Sequence, residues 1–164
     1  MLKQGDILLV HSKFDPIAWI IHYFTKSYWN HVAWAIDAHY LIEMKATNIN
    51  VCSIRKYLNW KYDVKLIRLK NVTKDEFKEA IKYIKQFKIK RSYFTYLKLL
   101  LKLLCSDKNK FICGFTCSSF IARALEEVNY YFIPSNKKWI YLITPEDIAN
   151  SKSKNITYEL KGYR

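Results

Sequence analysis

The chain predicts an α+β fold in which an antiparallel sheet packs against helices. Two observations carry this reading. Short apolar or alternating runs, interrupted by one helix, fill the first 70 residues, and segments with helical periodicity and capping residues follow. A third concerns size. The 164 residues are 51% hydrophobic and contain only three Gly and three Pro, so they predict one domain, 1–164, with no linker, low-complexity segment or repeat.

The elements follow in order. "GDILLV" (5–10) reads as a turn feeding a short buried strand. "DPIAWIIHYFTKS" (15–27) reads as a helix, with Asp15 placed to cap it and Pro16 at its first position. "HVAWAI" (31–36) and "YLIEMKA" (40–46) are strand-like and, joined by Asp37-Ala38-His39, form a predicted hairpin. "NVCSI" and "DVKLIRL" (63–69) are two further strands. "VTKDEFKEAIKYIKQFK" (72–88) is a helix with a Thr73/Glu76 capping box and an apolar stripe of Phe77, Ala80, Ile81, Ile84 and Phe87. "SYFTYLKLLLKLL" (92–104) predicts another helix, with Lys98 and Lys102 on one face. A further helix opens at Cys117 and carries Phe120, Ile121, Ala124, Leu125 and Val128 on its apolar side. A short last one, "TPEDIAN", has Thr144 as cap and Pro145 in first position.

Charge narrows the partners without choosing among them. The 28 Lys+Arg and 14 Asp+Glu give a net charge of +14, which attracts anionic surfaces, whether lipid, acidic polymer, nucleic acid or protein. No nucleic-acid-binding motif accompanies the lysines, so specific nucleic-acid recognition is not expected. The opening "MLKQGDILLV" has an apolar run of only four residues and is not read as a signal peptide; no run reaches transmembrane length. The expectation is a cytoplasmic protein, open to peripheral membrane association, with its cysteines reduced. Those cysteines, at 52, 105, 113 and 117, show no CxxC pair or zinc-finger spacing. No metal or other cofactor is expected.

The stretch "FTCSSFIARALEEV" places Cys117 in the first turn of its helix. The positive end of the helix dipole lowers a thiol's pKa there and makes it a better nucleophile. A nucleophilic thiol needs a base, and the base needs an orienting group. Of the four histidines, His11 lies in a predicted polar turn, His22 on an apolar helix and His39 in the hairpin loop; His31 opens a buried strand. With the three-residue loop, Ala33 faces Glu43, and His31 lies two positions along on the same side, within diagonal reach of that carboxylate. A two-residue loop would send Glu43 to the opposite face. A buried carboxylate at 43 requires a partner, either an imidazole or a lysine.

"GDILLV", "NHVAWAI", "YLIEMKA", "FTCSSFIARAL" and "TPEDI", in this order, resemble the circularly permuted branch of the NlpC-type papain-like superfamily, with its YiiX/YaeF-like members the nearest match. The resemblance spans about 5–148 and implies a permuted papain-like fold, with histidine ahead of cysteine. It also implies a cysteine hydrolase of the amidase or peptidase type, with Cys117 as nucleophile, His31 as base and Glu43 as orienter. The chain departs from the family in having "CSS" before Phe120 where Ser-Glu commonly follows the cysteine, and "SYF" where a Tyr-Asp pair often stands. The implied substrate carries an amide or ester, in a peptide or a lipid, since the superfamily includes lecithin:retinol acyltransferase-like enzymes. The alternatives are thus a membrane-associated lipid acyltransferase or thioesterase of that superfamily, and a non-enzymatic basic binding module.

Overall fold

In the computed structural model, residues 2–25, 27–45, 48–69, 72–86, 117–130, 143–151 and 154–160 are described. The element order is β1 (Ile7–Ser12), α1 (Pro16–Thr25), β2 (His31–Ala35), β3 (Tyr40–Met44), β4 (Ile49–Ser53), a 3-10 turn (Ile54–Lys56), β5 (Tyr62–Leu69), α2 (Lys74–Gln86), α3 (Cys117–Glu126), α4 (Pro145–Ala149) and β6 (Lys154–Leu160). The expected helix at 92–104, with Lys98 and Lys102, lies outside the described residues, as do Phe87, Cys105 and Cys113.

One antiparallel sheet of six strands, in the order β4-β3-β2-β1-β5-β6, packs against helices, so the α+β class holds. β6 is not among the elements the sequence reading assigns. Its pairing with β5, Val64 opposite Leu160 and Leu66 opposite Tyr158, places a C-terminal strand at the sheet edge rather than ending the chain in helices. The alternation of Ile156, Tyr158 and Leu160 in the sequence is the signal that marks it.

The sheet has two faces, each with its own apolar cluster. On one, Ile7, Leu9, Val32, Trp34, Ile42 and Ile67 meet Phe77, Ala80 and Ile84 of α2 and Phe120, Ile121, Ala124 and Leu125 of α3. On the other, Leu8, Val10, Ala33, Ala35, Leu41 and Leu66 gather around Tyr57. Alternation along each strand divides the residues in this way.

Local chemistry fixes the ends. Gly5 adopts φ +87, as a turn before β1 requires, and its carbonyl accepts a 3.0 Å hydrogen bond from the Trp34 indole. The neighbouring Asp6 is buried and receives two bonds from Arg68, at 2.7 and 2.8 Å, so the Gly-Asp pair ties β1 to β5. Thr73 and Glu76 close a capping box on α2, and Thr144 and Asp147 close another on α4.

Candidate active site

The β2–β3 hairpin places His31 and Glu43, the expected base and orienter. Ile36 N–H donates to the Tyr40 carbonyl at 2.9 Å across the loop of Asp37, Ala38 and His39. Asp37 Oδ1 closes that loop by accepting from the backbone N–H groups of His39 and Tyr40 at 2.7 and 2.8 Å. This loop gives the register Ala33↔Glu43, with Trp34 opposite Ile42. His31 therefore lies diagonal to Glu43 on the same face, and its Nε2 sits 2.9 Å from Glu43 Oε2.

Glu43 is 1% exposed and shared among several groups. Oε2 accepts from the Tyr57 hydroxyl as well as facing His31. Oε1 accepts from Lys56 Nζ at 2.8 Å and Asn50 Nδ2 at 3.3 Å, and Lys45 Nζ stands 3.6 Å away. The imidazole and the lysine that the sequence offers as alternative partners are thus both present. Burial opposes ionisation of Glu43, but His31, Lys56 and Tyr57 outweigh it and hold the carboxyl far below its usual range.

Cys117 comes from the far end of the sequence. It is the first residue of α3, where the helix dipole favours a thiolate. The apolar underside of α3 clamps the helix to the sheet, and the Ser118 hydroxyl donates to the Ile143 carbonyl ahead of α4. By alternation His31 belongs to the sheet face opposite α3. His31 is the first residue of β2, and its imidazole and the Cys117 thiol lie close enough for each to shift the other's pKa. With Nε2 turned to Glu43, Nδ1 is the nitrogen left for the sulfur. Backbone N–H groups of Val32 and Ser118 also donate to the sulfur. The β2–β3 register begins at Ala33, so the Val32 N–H lies just beyond the ladder.

The electrostatics of the pair follow. Burial raises the Cys117 pKa, but the hydrogen bond and charge of His31, with the two backbone donors, bring it below that of a free thiol. Burial likewise disfavours the imidazolium, yet Cys117 and Glu43 together raise His31 from 6.5 to about 9. Both shifts favour the thiolate–imidazolium form of the pair. Cys52, the other described cysteine, is different: burial and the Glu43 carboxylate raise its thiol to about 11.

The remaining histidines stay apart from the sulfur. His11 is not in a turn but near the end of β1, with its ring stacked 4.2 Å from Tyr28 and Nδ1 2.7 Å from the Tyr28 carbonyl. His22 Nδ1 lies 2.7 Å from the Ser27 carbonyl, and His39 lies in the hairpin loop. Lys56 and Tyr57 were not legible as site residues, because the 3-10 turn that brings them to Glu43 has no sequence tie to β3. Among the described residues, no group of three or more His, Cys, Asp or Glu is arranged to hold a metal ion.

No family model matches this chain, and no curated protein matches it in sequence.

Proposed function

We propose that the protein is a cysteine hydrolase of the amidase or peptidase type, on a permuted papain-like fold, acting through Cys117, His31 and Glu43. The observation that carries this reading is the contact of a helix-opening thiol with an imidazole that is itself bound to a buried carboxylate. These are the nucleophile, base and orienter that acyl transfer requires. The Cys117 thiolate attacks the carbonyl carbon of an amide or ester and forms a tetrahedral oxyanion. His31 gives its proton to the leaving amine or alcohol as the C–N or C–O bond breaks, leaving a thioester. Neutral His31 then takes a proton from water, whose oxygen attacks the thioester and releases a carboxylic acid and the Cys117 thiolate, restoring the pair with protonated His31. The Cys117 backbone N–H, at the start of α3, is the first donor for the oxyanion.

Alkylation with iodoacetamide across pH, mapped by mass spectrometry, tests the pair directly. Cys117 is expected to react well below the pH at which a free thiol does, and Cys52 only as pH approaches about 11. Turnover of an amide substrate should fall as pH rises through about 9, where His31 loses the proton that the departing amine needs. Labelling of Cys52 ahead of Cys117 would remove the basis for the proposal.

A second reading, a membrane-associated lipid acyltransferase or thioesterase of the same superfamily, is favoured by the surface near the site. Phe14, Trp19, Tyr23 and Trp60 are each more than half exposed. Phe14 and Trp60 meet edge-on at 5.1 Å, the Trp19 indole donates to the Lys13 carbonyl, and Lys61 Nζ lies 5.8 Å from the Trp60 ring centre. Phe14 follows β1, whose Val10 pairs with His31, so Phe14 stands beyond the same end of the sheet as His31. Aromatic rings flanked by lysines suit the interface of an anionic bilayer. Two carboxylates, Asp15 and the Asp63 that pairs with Lys13, make the patch itself nearly neutral, so attraction would come from the net charge of +14. Co-sedimentation with phosphatidylserine-containing vesicles, lost in a Phe14→Ser/Trp60→Ser variant, is the expected result. Equal sedimentation of both proteins would remove this reading. Among the described residues, no helix is long and apolar enough to cross a membrane.

A further inference from the structure

The proposed triad uses one oxygen of Glu43; the other side of that carboxylate is built with equal care. Lys56 Nζ reaches Oε1 at 2.8 Å and the Tyr57 hydroxyl at 2.8 Å, and lies 4.4 Å from the centre of the Tyr57 ring. Tyr57 is 3% exposed, and its hydroxyl donates to Glu43 Oε2, the oxygen that His31 also faces. The turn carrying both residues is fastened at each end. Ser53 Oγ accepts from Arg55 N–H, Ile54 N–H donates to the His39 carbonyl in the β2–β3 loop at 2.9 Å, and Asn59 Nδ2 donates to the Lys56 carbonyl at 2.8 Å. The cation is thus held across the carboxylate from the imidazole, on a turn tied to the hairpin that carries both triad members.

We propose that Lys56 and Tyr57 are positioning residues that set, through Glu43, the pH range over which Cys117 and His31 exist as an ion pair. This inference rests on the hydrolase reading only for its importance to turnover; the ion pair can be measured without it. Lys56 draws off part of the negative charge of Glu43 and adds positive potential at the site. Both effects favour the deprotonated forms of Cys117 and His31. The other groups facing Glu43 are Lys45 at 3.6 Å, Asn50 and the Cys52 thiol; Tyr62 meets the back of the Tyr57 ring at 5.2 Å. Lys45 is the one that could substitute for Lys56, but it is more exposed, 47% against 33%, and stands farther off. Its charge is therefore screened more strongly.

The test follows Cys117 alkylation by iodoacetamide against pH and the His31 ring titration by NMR, in full-length wild type and in Lys56→Met, Lys56→Arg and Tyr57→Phe. In Lys56→Met both transitions should move to higher pH by about half a unit, a roughly threefold loss of thiolate on the rising limb. Lys56→Arg should restore the wild-type positions, and Tyr57→Phe should shift them in the same direction by less. A residue that merely supports the fold would lower thermal stability and leave both transitions where they are. Coincident profiles in wild type and Lys56→Met would overturn the proposal, as would a shift that persists in Lys56→Arg. Absence of turnover in wild type, with the shifts present, would count against the hydrolase reading and not against this one.

Discussion

Replacing His31 by Ala is expected to lower turnover of an activated acyl ester by about 10⁴-fold or more, and Cys117→Ala to remove it. The two losses should not add in the double variant, because each removes the same acyl-transfer step. In the proposed mechanism His31 matters twice. It would protonate the leaving group, and its hydrogen bond and positive charge oppose the burial that raises the Cys117 pKa. Without the imidazole, burial is opposed only by the backbone donors of Val32 and Ser118 and by the helix dipole, and Cys117 should titrate at higher pH than in wild type. Steady-state kinetics beside the iodoacetamide profile of His31→Ala checks both effects. Retention of wild-type turnover in Cys117→Ala would end the hydrolase reading.

Glu43→Ala should be the most destabilising single change at the site, by about 3–5 kcal/mol, the usual effect of removing one partner from a buried ionic cluster. For a chain of this size that is a fall in Tm of roughly 6–20 °C. The variant leaves Lys56 without its 2.8 Å acceptor and the Tyr57 hydroxyl without its carboxylate in the core. Glu43→Gln keeps an acceptor and should lose less stability, while turnover drops because the imidazolium has no charged orienter. The pH dependence has a definite sign. Glu43 is depressed in the folded chain, so its stabilisation is present above the ordinary value of 4.5 and is lost as pH falls below it. His31 is raised, so its contribution is full below 6.5 and lost as pH rises through about 9. Thermal melts from acid to alkaline pH should therefore lose both slopes in Glu43→Ala, apart from the part of the His31 slope due to Cys117.

Much of this arrangement is legible in the residues themselves, where the determining interaction is local. The Thr73/Glu76 and Thr144/Pro145 helix starts, the three-residue loop after Ile36 and the apolar stripe of α3 each depend on neighbours within a few positions. The Ala33↔Glu43 register then follows from the loop, and His31 with Glu43 follows from the register. What sequence reading misses depends on distant pairing. β6 owes its place to β5, almost a hundred residues earlier; Lys56 and Tyr57 owe theirs to a turn folding back on the hairpin. His11 reads as a turn residue because nothing nearby reveals that β5 extends β1 as far as Ser12.

The imidazole and its carboxylate belong to a single hairpin, whereas the sulfur joins from 86 positions downstream of the imidazole. Closing so long a stretch is slow compared with zipping two adjacent strands. During synthesis the nascent chain can therefore join His31 to Glu43 well before Cys117 has left the ribosome. The proposed hydrolase would become complete only with the docking of α3, so a polypeptide truncated ahead of Cys117 would lack its proposed nucleophile.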